Sequence, residues 1–291
     1  MPKPSKYGPL KPIYQLTFNL SQSSASKCSL TYSGREDGIG AQIHSIYSLY
    51  AYAKLREMTV LPQALSNIAH NDQEDPDWDD KWNSFFNLPR SRTTPKEPHI
   101  KRIKLERLFF PKSGTCYITQ KAHTITDLFP ESYCAVMPEL RKQYDQAPIE
   151  KTNFLKDDTI SVAIHLRLGD VANHSGRSSR IDRAVQQIST IRKYLEEKGE
   201  NFEILVLSQG SPASFTPLVD LGAQLHLNED LFRTFHTLVC ADILCMAKSS
   251  LSYAAALLNQ KTVIYEPFWH PKLPYWLNNA NQLANRINNQ P

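Results

Sequence analysis

Ser161-Val162-Ala163-Ile164-His165-Leu166-Arg167-Leu168-Gly169-Asp170 is the stretch on which the reading of the whole chain turns. Its first four residues are small or β-branched and do not alternate with polar ones, the pattern of a strand buried on both faces in a parallel sheet. Gly169-Asp170 then breaks the strand. His165 and Arg167 stand two apart, so both leave the carboxyl end of the strand on the same face. Open α/β sheets bind their ligands at that end. A guanidinium placed there can hold a diphosphate through paired hydrogen bonds, and it keeps its charge at any useful pH. Asp170 either fixes Arg167 or caps the segment that follows. A structural ion pair between Arg167 and Asp170 is the plainer alternative, and the strand-exit position favours the ligand.

Working outward, further strands are predicted at 202–207, 224–227, 242–246 and 262–265, with 159–166 around the opening stretch. Helical patterns lie between them. The strongest runs over 181–197, with Ile181, Val185, Ile188, Ile191 and Leu195 on one face. Strands alternating with helices imply a parallel, doubly wound sheet. Toward the N-terminus, 28–32 reads as a strand, 33–40 as a loop, 41–57 as a helix carrying Ile43, Ile46, Tyr47, Tyr50 and Ala53, and 59–61 as a second strand. Residues 1–25, rich in Pro and Ser, read as an irregular lead-in. Residues 65–100 read as a polar surface excursion with the acidic cluster Asp72, Glu74, Asp75, Asp77, Asp79 and Asp80. The signals over 101–150 set no order of elements. The expected organisation is two Rossmann-like α/β domains, 1–155 and 156–291, with parallel sheets facing a cleft.

Two other motifs accompany the strand end. Ser33-Gly34-Arg35-Glu36-Asp37-Gly38-Ile39-Gly40-Ala41-Gln42 joins a strand to a helix, where glycines admit close backbone approach and free N–H groups meet phosphate or sugar. Gly38 and Gly40 equally suit a tight turn. The dinucleotide fingerprint is excluded, because position 43 is Ile. The run from His236 through Asp242 to Ser249-Ser250-Leu251-Ser252 is a buried strand ending in a serine turn that opens a small-residue helix. Ser249, Ser250 and Ser252 can cap that helix or, with Lys248 beside them, bind phosphates.

Bulk composition narrows the function. The 291 residues suffice for two modest domains, and 41% hydrophobic with 10% aromatic content is that of a folded protein. A net charge of +4, from 33 basic and 29 acidic residues, suits an anionic ligand and is too small to imply a nucleic-acid partner. No run approaches 18 apolar residues, so no membrane span is expected, and the first thirty residues lack the apolar core of a secretory signal. Cys28, Cys116, Cys134, Cys240 and Cys245 form no C-x-x-C pair, and reduced thiols in a cytoplasmic protein are the expectation. Asp75-Pro76-Asp77-Trp78-Asp79 has the D-x-D spacing that binds manganese in one class of glycosyltransferases, but no apolar strand presents it; a solvated loop is expected and no metal site is assigned.

With these motifs in place, the chain resembles the fucosyltransferase superfamily that groups bacterial α-1,2-fucosyltransferases, nodulation α-1,6-fucosyltransferases and protein O-fucosyltransferases. Gly38-Ile39-Gly40-Ala41-Gln42, His165 to Asp170, and Ser249-Ser250-Leu251-Ser252 stand where that family has a G-x-G-N-Q turn, an H-x-R-x-G-D-like strand end and an S-S-F-S turn. The matched segments cover about a fifth of the chain. Ala41 replaces the family's amide and Leu251 its aromatic residue. The resemblance implies a GT-B fold and an inverting transfer, without a divalent metal or other cofactor, from a GDP-sugar (GDP-fucose) to a glycan hydroxyl. It places Arg167 on the β-phosphate with His165 and Asp170 about it, Gly38, Gly40 and Gln42 near sugar or acceptor, and Ser249, Ser250 and Ser252 on phosphate or ribose.

In such a transfer the leaving diphosphate gains negative charge, so a fixed cation there is the main requirement. Glu36, Asp37 and His44 are the candidate general bases, and His44 is also a candidate donor contact, as are His236 and Asp242. Phe268-Trp269-His270-Pro271 follows the last strand and offers an aromatic surface for a sugar or base, or simply packs. Two rivals stand beside this reading: a transferase of the same fold using another sugar nucleotide, and a catalytically silent nucleotide- or carbohydrate-binding module. Phosphoryl transfer is disfavoured, since no G-x-x-x-x-G-K-[ST] segment occurs.

Overall fold

The computed structural model describes residues 7–71, 74–89, 99–168 and 180–286. The chain divides into two compact units, the first Met1–Glu150 with Trp269–Pro274 and the second Lys151–Phe268 with Tyr275–Pro291. Each has a parallel sheet with helices around it, so the fold class is the α/β one that the sequence implied.

The second unit holds β7 (Ile160–His165), α6 (Ile181–Lys198), β8 (Phe202–Ser208), α7 (Thr216–Val219), β9 (Gln224–Leu227), α8 (Leu231–Cys240), β10 (Ile243–Cys245), α9 (Ser250–Leu258), β11 (Thr262–Ile264) and α10 (Leu283–Arg286). Its five strands are ordered β11-β10-β7-β8-β9 and all pair in parallel. The chain winds outward from β7 to β9, then crosses back to lay β10 and β11 on the other side of β7. β7 and β10 therefore flank the switch point, outside whose carboxyl ends a crevice must open. The predicted strand and helix positions agree with these to within a residue or two, because their apolar residues are those the core requires: Val162, Ile164, Ile204, Val206, Ile243 and Ile264 from the sheet against Ala184, Ile188, Ile191 and Leu195 of α6. Gly199, at φ +68°, ends α6 in the left-handed conformation that glycine adopts without strain.

The first unit holds α1 (Lys11–Ala25), β1 (Ser29–Tyr32), β2 (Asp37–Gly38), α2 (Ile39–Arg56), β3 (Thr59–Leu61), β4 (Ile68–Ala69), α3 (Trp78–Phe85), β5 (His99–Arg102), β6 (Thr115–Thr119), α4 (His123–Thr126) and α5 (Glu131–Asp145). Four of its strands form a parallel sheet ordered β3-β1-β6-β5, and β2 pairs with β4. α2 is buried on most sides, including its polar Gln42, His44, Ser45 and Ser48. Its last residue, Arg56, is 1% exposed. The guanidinium donates to Tyr52 Oη, Leu108 O, Ser21 Oγ and Phe109 O at 2.8–3.2 Å and lies over the Phe18 ring. A buried charge is tolerable only with partners of this kind, which here serve both terminal nitrogens of the guanidinium.

Three readings of this half are corrected. The irregular lead-in expected over 1–25 is a helix over most of its described part, residues 1–6 lying outside the described residues: α1 packs Tyr14, Phe18, Ser21 and Ala25, at helical spacing, into the core, and Pro12 falls in the first turn, where its missing N–H costs nothing. The 65–100 excursion contains α3, whose Trp82 and Phe85 are buried together with Phe86. Within its acidic cluster, Asp79 accepts from the N–H groups of Asn67 and Ile68 at 2.8 and 3.0 Å, while Asp75 pairs with Lys81. Finally, the 33–40 loop contains β2, and α2 begins at Ile39. Among the described residues no helix is long and apolar enough to cross a membrane, and all five cysteines are free thiols.

Candidate active site

The switch point of the second unit opens into a pocket of about 440 Å³. Leu166, Met246 and Glu266, which follow β7, β10 and β11, form its floor, and Lys248 rises from the turn after β10. The other wall is the start of α6, with Arg180, Asp182 and Arg183. Two influences make this wall receptive to an anion: the positive end of the α6 dipole, and three cations against two carboxylates. Arg183 Nε lies 3.0 Å from Glu266 Oε2. Burial raises the Glu266 carboxyl, and Arg183 and Lys248 pull it back. The Arg180–Asp182 pair is exposed on both sides and adds little stability, so Arg180 can exchange that partner for a ligand at small cost.

Arg167 comes directly after this strand end. Leu166 N–H still donates to Leu207 O at 3.0 Å, so the ladder with β8 holds the backbone up to the residue before Arg167. Arg167 itself is half-buried. His165 is 7% exposed, and its Nδ1 makes no hydrogen bond. Burial, and then the charge of Arg167, depress its imidazole to about 4, so it is neutral at pH 7. That suits packing beside a cation better than proton transfer. Asp170, with Gly169, lies outside the described residues.

The serine turn follows its capping role. Ser249 is the N-cap of α9, its Oγ accepting from Leu251 N–H at 3.2 Å. Ser252 is fully buried, and its Oγ accepts from Ala247 N–H at 3.0 Å. Contact of Ser252 with a ligand is thereby corrected, since its hydroxyl is sealed inside the turn. Ser250, in the first turn of α9, keeps partial exposure. Asp242 and His236 do not join the pocket. Asp242 stands at the amino end of β10, where it accepts from Ser161 N–H and Oγ at 2.9 and 2.7 Å and pairs with Lys261. His236 lies within α8, its ring 3.5 Å from Cys240 Sγ. In a parallel sheet the amino and carboxyl ends of strands are on opposite edges, which is why neighbours in sequence part company here.

In the first unit, Gly38 and Gly40 flank the start of α2. A side chain at position 38 would come within 3.1 Å of the His70 ring, so glycine here permits a close approach. Gln42 is fully buried, and its Nε2 donates to the carbonyls of Asp37, Ser66 and Asn67 at 3.1–3.3 Å. Its amide tethers the β2 and β4 segments, a role that needs no sugar. Asp37 pairs with Arg35 at 2.8 Å. His44 is 1% exposed, so the expectation of a general base or donor contact is corrected: the ring is shut in the core, where Nε2 meets Tyr133 Oη at 3.1 Å. His270 is also buried, its Nδ1 2.8 Å from Asp127 Oδ2, whereas Trp269 is exposed. His44, Asp127 and His270 are, among the described residues, a group able to hold a metal ion.

Sequence reasoning passed over Arg180, Arg183 and Glu266. The signal was present: Arg177-Ser178-Ser179-Arg180-Ile181-Asp182-Arg183 gathers arginines at the start of the best predicted helix, where a helix N-terminus meets an anion.

No family profile matches the chain, and no curated protein does. Solved structures to which it is similar include the NodZ α-1,6-fucosyltransferase co-crystallised with GDP, at 10% identity over 82% of this chain and 94% of that one, with a TM-score of 0.36. POFUT1 in complex with GDP is 11% identical over 80% and 96%, with a TM-score of 0.39. The E. coli heptosyltransferase WaaC with ADP-2-deoxy-2-fluoro heptose is 12% identical over 90% and 98%, with a TM-score of 0.38. No residue role is carried over from any of them.

Proposed function

We propose that the chain is an inverting glycosyltransferase that moves fucose from GDP-fucose to a glycan hydroxyl, with no divalent metal on the diphosphate. The observation that supports this most is the cationic pocket at the β7/β10 switch point, where Arg180, Arg183 and Lys248 gather around the start of α6 and Leu166, the residue before Arg167. Fixed positive charge is what a departing nucleoside diphosphate requires, and here side chains supply it where other transferases use a metal. Arg167 is assigned to the β-phosphate, with Arg183 and Lys248 sharing the developing charge. Fucose and GDP rest on the motif resemblance of Gly38 to Gln42, His165 to Asp170 and Ser249 to Ser252. Five free thiols support action in a reducing, cytoplasm-like compartment.

Screening GDP, UDP, dTDP and ADP with their sugars by thermal shift tests the reading, because a ligand that binds only the folded state raises its melting temperature by mass action. GDP and GDP-fucose are expected to stabilise the protein most, with transfer from GDP-fucose following in a glycan-acceptor assay. Stabilisation by another nucleotide alone would reassign the donor. Tight GDP binding with neither transfer nor hydrolysis would make the chain a binding module.

A further inference from the structure

Three imidazoles and a carboxylate converge inside the first unit, and the proposed reaction uses none of them. His44 comes from α2, His123 and Asp127 from the start and the C-cap of α4, and His270 from the returning segment Trp269–Pro274. The ring centroids lie 4.1 Å apart for His44 and His270, 5.2 Å for His123 and His270, and 5.6 Å for His44 and His123. A tetrahedral zinc ion with Zn–N bonds of about 2.0–2.1 Å holds imidazole centroids about 5 Å apart. The ligand-type atoms of His44, Asp127 and His270 all lie within 4.8 Å of one another.

The surroundings are those of a metal site. Asp127 Oδ2 accepts from His270 at 2.8 Å, and Asp127 Oδ1 accepts from Tyr133 Oη at 3.1 Å. Tyr133 Oη also meets His44 Nε2 at 3.1 Å, Ser48 Oγ at 2.8 Å and Thr126 Oγ1 at 3.1 Å. Tyr133, which donates to Asp127 and meets His44, is the kind of outer hydrogen-bonding layer that orients metal ligands. His123 Nδ1 is a buried nitrogen with no hydrogen-bond partner, and such an orphan calls for an explanation.

We propose that the first unit binds one divalent transition-metal ion of the zinc class through His44, Asp127 and His270, with His123 packed against them. Neutral imidazoles donate directly, so no proton need leave. Burial, with the charges of neighbouring His270 and Arg35, keeps His44 well below its ordinary value and His123 at about 3, so protons do not compete for the rings at pH 7. Arg35 is paired to Asp37, and Lys121 is the other cation bearing on His123. With His44 at 1% and His270 at 5% exposure the centre is closed to substrates, so the ion ties α2, α4 and the returning segment together.

Elemental analysis of the tag-free, full-length protein tests this without reference to transfer, so neither reading falls with the other. About one zinc per chain is expected. His270→Ala, verified as folded by near-ultraviolet circular dichroism, is expected to lose it, and Tyr133→Phe to weaken metal affinity about 10–100-fold. Should these variants not fold, wild-type protein stripped by a chelator and titrated with Co²⁺ serves instead: a visible absorption band of four-coordinate cobalt supports the site. Folded wild-type protein that carries no zinc above background and gives no cobalt band overturns it.

Discussion

Lowering the pH from 7 to 5 is expected to destabilise the first unit more than the loss of any single surface interaction would. His44 and His123 are held far below an ordinary imidazole, principally by burial. Once the chain unfolds, each returns to about 6.5 and takes up a proton that the native state refuses. Stability then follows the difference in bound protons: for a base with a depressed folded value it is fully present above about pH 6.5 and is lost as pH falls. Each group contributes about 1.4 kcal/mol per pH unit in the linear range. Allowing for curvature near 6.5, the descent from pH 7 to 5 removes about 2 kcal/mol through His123, whose folded value is about 3, and His44 acts in the same sense. Asp127 works in the opposite sense, because burial raises its carboxyl. It is one group against two, so the sign stands. A loss of this size is a large part of the roughly 5–15 kcal/mol that holds a domain folded. Urea unfolding followed by tryptophan fluorescence at pH 7, 6 and 5 measures it, and a metal on the cluster steepens the dependence. Equal midpoints at pH 7 and pH 5 would refute the burial argument.

Arg167→Ala is expected to fold and to lose about 10²–10³ in turnover, the value of one preorganised charge donor; unchanged GDP binding by calorimetry would remove Arg167 from the site. Arg183→Gln is expected to weaken GDP binding by about tenfold or more, as for a hydrogen bond to a charged group, and an affinity within error of wild type would show that the α6 wall does not bear the diphosphate. Turnover is expected to persist when Mg²⁺ and Mn²⁺ are withheld, a strict need for added Mn²⁺ being the contrary result. Arg56→Met is expected to destabilise the first unit by about 1.5–3 kcal/mol, because Ser21 and the carbonyls of Leu108 and Phe109 lose a charged donor; denaturant midpoints that do not move would contradict this.

The second unit was legible in the chain itself. Runs such as Ser161-Val162-Ala163-Ile164 and the face Ile188, Ile191, Leu195 carry the periods of strand and helix, and alternating periods admit few parallel topologies. α1 was hidden because composition spoke louder than spacing: serines and a proline surround Tyr14 and Phe18, yet every fourth or third residue faces the core. α3 was hidden by its acids, since the acceptor role of Asp79 appears only when the N–H groups of Asn67 and Ile68 arrive beside it.

Which polar residues are open to a ligand was decided by tertiary structure alone. Gln42 and His44 look available in sequence and are sealed, because their hydrogen-bond partners lie on segments that no local pattern relates to them, while Ser252 is sealed by Ala247 of its own turn. Arg180 and Arg183 look like ordinary helix residues and line the pocket, because the winding of the sheet brings the start of α6 to the ends of β7, β10 and β11. The meeting of His123 and Asp127 with His270, on a segment far along the chain, follows no periodicity either. A sequence specifies local period and side-chain chemistry; burial and encounter belong to the folded chain.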